Sequence, residues 1–328
     1  MKKFFTLLVA VASLLASCSK DNVAIDTPAT GEQVITFEVN SPELTTRYGE
    51  GDQATQLEWF VYEGALPSGP FVSANSMPTL VPGLGGSKAL DGKKTTVSLK
   101  LIQGRSYHVL FWAHHPGVSS SSSSTLGTAN TVYHVNPADA TMSVDYTKLT
   151  ANQEKYDAFY KFHSVGLVSS STQGGTVYLS RPFAQLNIAT STTDIEDAKM
   201  ADLEVKYTGV GVKTYTTLNF ITGAVSNPQS TIFNVTTKAN GEFKYNNKTY
   251  EIISMNYLLV NEEELVDVKL MLQEDIEESA EVLNRAYHNI HIQRNHRTYI
   301  FGDLYTQPAN FNVIIKDEFT KEDYNEER

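Results

Sequence analysis

The sequence predicts a mainly β protein of two domains, each a sandwich or barrel of short strands. Three observations carry that prediction. Segments rich in β-branched and aromatic residues recur along the chain, separated by clusters of Gly, Pro, Ser and Asn. Several of them alternate apolar and polar residues with a period of two, the pattern of a strand with one buried face. A length of 328 residues, at about 150 per domain, suggests two domains with room for a core in each. The net charge of −11 argues against a nucleic-acid partner and against docking on anionic lipid. Cys18 is the only cysteine, so no disulfide or zinc–thiolate site can form within the chain, and packing must hold the domains.

Lys2 and Lys3 form a basic start, and residues 4–16 are an apolar run too short for a permanent membrane span. Small residues follow, so 1–17 read as a signal peptide. Leu15-Ala16-Ser17-Cys18 resembles the bacterial lipoprotein box, which implies a lipid on Cys18 and a chain cut just before it. Ser19-Lys20-Asp21-Asn22 resembles the tag that favours export of Bacteroidota lipoproteins to the outer face of the outer membrane. Residues 18–32 lack periodicity and contain Thr, Pro and Gly, as expected of a flexible tether.

The first domain is expected over 33–178. Its first strand, 33–40, buries Ile35, Phe37 and Val39 in alternation with polar neighbours. The polar, glycine-bearing loop 41–52 follows and exposes Arg47 and Tyr48 to proteases. Strands are expected at 57–62, 95–101 and 106–113; the last is nearly all apolar, which places it at a sheet centre covered on both faces. Gly83, Gly85 and Gly86 make a turn, and six serines at 119–124 form a surface loop. Residues 156–165 read as a modest helix. A strand at 176–179 leads to a second domain, expected over 179–328, with strands at 203–212, 214–220, 243–253, 257–260, 265–272 and 287–293. For 275–286 a short helix and a hairpin tip are both open, and the chain ends in an acidic tail.

Two segments resemble the fimbrillin family, the Mfa-like lipoprotein subunits of type V pili. They are Arg181-Pro182-Phe183-Ala184-Gln185-Leu186-Asn187-Ile188 and the stretch from Gln293-Arg294-Asn295-His296-Arg297-Thr298 through Gly302 to Leu304-Tyr305-Thr306. His296 stands where the family carries an aromatic residue, and Tyr305 where it carries an aliphatic one. The resemblance implies two transthyretin-like β-sandwich domains and a stalk, anchor or tip role in an adhesive fimbria. It also implies proteolysis after Arg47, which would remove the first strand with Ile35, Phe37 and Val39 and leave a body beginning at Tyr48. The replacement would be another subunit's Phe311, Val313 and Ile315, whose spacing repeats that of the displaced set. The same segment also reads as the last strand of its own domain. Independently of the resemblance, Pro182 belongs at a strand start or edge, Gly302 at a bulge or close backbone approach, and Asn295 in a turn pinned by side-chain hydrogen bonds.

No catalytic site and no cofactor or metal site is expected. His288 and His291 fall on a strand, where residues three apart face opposite ways, and His114-His115 read as surface turn residues. The acidic run at 262–264 with Asp267 lacks the spacing of a calcium loop. There is no Gly-x-Ser-x-Gly elbow and no phosphate loop. The alternative to a fibre subunit is a monomeric surface lipoprotein that binds glycan or a host protein, with Trp59 and Trp112 as candidate stacking residues.

Overall fold

The computed structural model describes residues 31–41, 53–66, 77–121, 131–203, 205–236, 241–273 and 281–316. The expected signal peptide, Cys18, and the 42–52 stretch with Arg47 and Tyr48 lie outside the described residues.

The expected mainly β architecture is met by two sandwiches. In the first, Glu32–Asn40 (β1), Lys94–Ile102 (β5) and Thr176–Tyr178 (β11) form a three-stranded sheet with β1 in the middle. Against it lies a sheet made of Gln56–Glu63 (β2), Thr79–Leu80 (β3), Gly86–Ala89 (β4), Ser106–His114 (β6) and Phe159–Leu167 (β10), ordered β10-β6-β2-β3 with β4 also on β2. One sheet of the second sandwich holds Phe183–Ser191 (β12), Glu242–Tyr245 (β15), Lys248–Leu259 (β16), Arg297–Gly302 (β19) and Phe311–Lys316 (β20), ordered β15-β16-β12-β19-β20. The other holds Ser119–Ser120 (β7), Tyr133–Asn136 (β8), Thr141–Val144 (β9), Tyr207–Asn219 (β13), Val225–Thr236 (β14), Glu263–Gln273 (β17) and Glu281–Gln293 (β18). Its order is β18-β17-β13-β9-β8-β7, and β14 also pairs with β13.

The sheets do not divide at the expected 178/179 boundary alone. β7, β8 and β9 precede it in the chain, yet β9 joins β13 through Thr141↔Asn219, Met142↔Leu218 and Ser143↔Thr217. The chain thus crosses into the second sandwich after His114, returns at β10, and crosses again after β11. β6 explains why this is tolerated. Its residues Tyr107, Val109, Phe111 and Ala113 enter the first core, while Leu110 and Trp112 point to the opposite face and join the second. The strand is buried on both faces, as its apolar run requires. Trp112 meets Tyr133 at 5.9 Å and Phe220 at 5.6 Å, and the Tyr62 hydroxyl donates to the Pro137 carbonyl at 2.8 Å. The two sandwiches share apolar packing across this face.

Several elements differ from expectation. Residues 156–165 are no helix: a 3-10 turn covers Glu154–Tyr156, and β10 follows with a bulge between Ser164 and Gly166. The one α-helix among the described residues, Thr192–Met200 (α1), begins where a strand pattern had ended; Ser191 caps it by accepting from the Asp194 amide at 3.1 Å. The two strands expected at 203–220 are one continuous β13. The 243–253 segment is instead broken by Asn246 and Asn247, both at positive φ, into β15 and β16. β18 takes up the end of the 275–286 stretch, which is therefore a hairpin arm from Glu281 onward.

Candidate functional site

β1 sits where its loss would open a core. Ile35, Phe37 and Val39 are buried at 0%, 1% and 0% exposure. Phe37 packs edge-on against Phe111 at 5.7 Å and against His163 at 5.5 Å. Nine antiparallel pairs, from Glu32↔Ile102 to Asn40↔Lys94, tie β1 to β5, and three parallel pairs tie it to β11. Side chains add to the ladder. Thr36 and Ser98 share a hydroxyl hydrogen bond of 2.9 Å, and the Gln33 amide donates to the Thr172 carbonyl at 3.0 Å. The polar residues Thr36 and Glu38 face away from the core, so the strand has one dry and one wet face.

The backbone next to β11 continues alongside β1 before the named strand begins. The Glu38 amide donates to the Gly175 carbonyl at 3.1 Å, and a Cβ at Gly174 would stand 1.8 Å from the Thr36 carbonyl oxygen. No side chain fits there. Gly174 is what lets this backbone close on β1, whereas a Cβ on Gly175 would meet nothing. Among nearby imidazoles, burial, opposed by a hydrogen bond to the Gly64 carbonyl, lowers the pKa of His108, and burial followed by Lys161 and His108 lowers that of the half-buried His163.

Phe311, Val313 and Ile315 lie on β20, the last strand of the second sandwich's five-stranded sheet. β20 pairs antiparallel with β19 through Gly302↔Phe311, Ile300↔Val313 and Thr298↔Ile315. The Phe311 ring meets Tyr287 of β18 at 4.4 Å, but Phe311 and Val313 stay 38% and 37% exposed. The neighbouring Ile314 packs against the core from the other face. The segment is thus held in its own sandwich, at an edge, with its apolar alternates only partly covered.

The two segments that carry the family resemblance meet in space. β12 and β19 are parallel neighbours over Gln185↔Arg297 to Thr190↔Gly302. Arg294 reaches the Gly223 carbonyl at 2.9 Å and the Val260 carbonyl at 2.7 Å, and Asn295, at positive φ, donates its amide to Phe183 at 2.9 Å. Asp194 at the start of α1 accepts from the Tyr305 amide at 2.7 Å and the Thr306 amide at 3.0 Å. A Cβ at Gly302 would lie 2.4 Å from the Asn310 carbonyl oxygen, the close approach its sequence position suggested.

The histidines do not converge. His288 pairs with Asp267 at 3.2 Å and His291 with Glu263 at 2.5 Å, two separate carboxylates. Among the described residues no group of three or more His, Cys, Asp or Glu is arranged to hold a metal ion. His114 is buried at 2% exposure and stacks on Trp112, so it is no surface turn residue; only its neighbour His115 lines the turn. Trp112 is fully buried. Trp59 is half-buried, donates to the Leu84 carbonyl at 3.2 Å and lies so close on Gly86 that a Cβ there would be 2.4 Å from the ring.

The fold and site define a protein of two β-sandwiches whose first strand fills the middle of a three-stranded sheet. The chain belongs to the family of unknown function DUF6562, which it matches over residues 83–328. No curated protein matches the sequence. Among solved structures it is similar to a candidate adhesin of Bacteroides thetaiotaomicron, with 12% identity over 86% of this chain and 95% of that one and a TM-score of 0.46. It is also similar to a fimbrial assembly protein of Parabacteroides distasonis, with 9% identity, coverage of 87% and 96%, and a TM-score of 0.45. The fimbrial anchor protein Mfa2 of Porphyromonas gingivalis shares 9% identity over 87% of this chain and 97% of its own, at a TM-score of 0.43.

Proposed function

We propose that this protein is a non-catalytic subunit, anchor or tip of an adhesive surface fimbria, held at the outer membrane by a lipid on Cys18 and assembled when β1 is exchanged for a strand of another subunit. The observation that carries this reading is the setting of β1. It places three sealed apolar side chains between β5 and β11, and the chain runs from its end straight into the segment that contains Arg47. Cleavage after Arg47 cuts the covalent link between β1 and the body. Loss of the strand then exposes a groove at roughly 1.5 to 3 kcal/mol for each large side chain withdrawn, which favours uptake of a replacement.

β20 supports the reading from the donor side. Its alternates Phe311 and Val313 remain more than a third exposed at home, whereas the side chains they would replace are sealed. Transfer into the groove therefore increases burial. Substituting Cys18→Ser tests the anchorage: the protein should leave the membrane fraction, and unchanged retention contradicts a lipid there. The exchange is tested by cutting the protein with an Arg-specific protease and adding a labelled peptide of residues 311–316. Capture by the cut protein and not by the intact one is expected; equal labelling of both, or of neither, contradicts it.

A further inference from the structure

β14 is a free edge of the second sandwich. Among the described residues it pairs with β13 and with no other strand, so its outer row of backbone donors and acceptors has no ladder partner. Lysine or arginine blunts other edges: β5, β10, β15, β18 and β20 each contain one or the other. β14 has no charged residue along its length, in a chain of net charge −11. We infer that β14 is a docking edge for the same strand of a second copy of this chain, paired antiparallel about a two-fold axis at Ile232.

The strand itself fixes the register. At its start Asn227 turns to a positive φ of 57°, its carbonyl accepts from the Thr216 hydroxyl at 3.3 Å, and Pro228 follows without an amide hydrogen. This closes 225–228 to a neighbour. From Pro228 onward the pairing with β13 is unbroken, Pro228↔Tyr215 to Thr236↔Tyr207. An edge proline turns its nitrogen to solvent, and the direction of the backbone polar groups alternates along an antiparallel strand. The amides and carbonyls of Ser230, Ile232, Asn234 and Thr236 therefore point away from β13. Ile232 is the midpoint between Pro228 and Thr236. A copy centred there sets Ile232 against Ile232, Ser230 against Asn234 and Pro228 against Thr236, and so uses the strand up to the proline and no further.

The side chains suit a second copy. Ile232 is large, apolar and 58% exposed, and in this register each copy supplies the surface that covers the other's. Ser230 and Asn234 beside it are exposed and uncharged, so a hydroxyl meets an amide on either side of the axis. Thr231 and Phe233, on the face toward the core, are 8% and 2% exposed and hold the strand in place without a partner. Two molecules that each carry −11 can meet along this strand with no like charges opposed. A single strand pair is smaller than the roughly 1,000 Å² of a stable interface, which makes the dimer a weak one that forms at high local concentration.

This edge lies in the second sandwich, apart from β1, so the pairing and the strand exchange can fail separately. Cysteine cross-linking tests it on the full-length chain carrying Cys18→Ser, in which an added cysteine is the only thiol. In the inferred register the two Ile232 Cα atoms stand about 5.5 Å apart, within reach of a disulfide, and the two Ser230 Cα atoms roughly 14 Å apart, beyond it. On air oxidation Ile232→Cys should give covalent dimers, Ser230→Cys should stay monomeric, and Ser230→Cys mixed with Asn234→Cys should couple one variant to the other. Ile232→Lys, which sets two ammonium groups face to face, should reduce the dimer fraction in sedimentation velocity by roughly tenfold while melting as the parent does. Cross-linking of Ser230→Cys as fast as Ile232→Cys, no cross-linking of Ile232→Cys, a parent monomeric at every concentration, or a dimer that Ile232→Lys leaves intact would overturn the assignment.

Discussion

Arg181 is among the largest fully buried side chains of the protein, at 1% exposure, and it owes its tolerance to Asp157. The guanidinium meets both carboxylate oxygens and stacks over Phe159 at 4.6 Å. Burial pushes the Asp157 carboxyl up, and Arg181, then Arg297, pull it back. Asp157 ends the 3-10 turn ahead of β10, and Arg181 precedes β12, so the pair joins the chain's return to the first sandwich with its final crossing to the second. Asp157→Ala should lower stability by about 3 to 5 kcal/mol in urea denaturation, because a buried cation loses its carboxylate. The double change Asp157→Ala with Arg181→Met should recover a large part of that loss; a double variant as unstable as the single one would show that the pair itself stabilises. Arg181 was visible in the sequence only through the motif it begins. Its partner lies 24 residues away, a pairing that no periodicity reports.

At the scale of elements, strands with a wet face were the legible ones. β1 and β5 alternate cleanly, and β6 announced its two buried faces by an unbroken apolar run. β10 was misread because its aromatic residues fit a helix face as well as a strand. α1 was missed for the opposite reason: only Asp194 and Ala198 of its residues are buried, so it carries almost no apolar stripe. The Ser191-x-x-Asp194 cap was its one sequence signal. β20 offers a sharp test because its two faces differ. Val313→Lys should cost the free subunit less than about 1 kcal/mol, since a side chain already 37% exposed lets the ammonium reach water. The same change should abolish fibre growth. Ile314→Lys, on the face packed against the core, should instead melt the second sandwich. A Val313→Lys subunit that misfolds by circular dichroism would remove β20 from the donor role.

At the scale of the whole molecule, the two sandwiches are less independent than a length of 328 residues suggested. The crossing of β7, β8 and β9 into the second sandwich was hidden because these strands are two to four residues long and border the serine-rich loop. Trp112, Leu110 and Tyr62 fasten the back of the first sandwich to that crossing, and under the proposed exchange this sheet would stay braced while β1 is replaced. Such bracing is what strand exchange demands of a subunit: one replaceable strand on a body that does not unfold when the strand leaves. The direct measurement is N-terminal sequencing of fibres sheared from the cell surface. A start at Tyr48 is the predicted result, with β1 gone from every assembled copy. Fibres whose subunits begin at Cys18 and still carry Ile35, Phe37 and Val39 would contradict the exchange of β1.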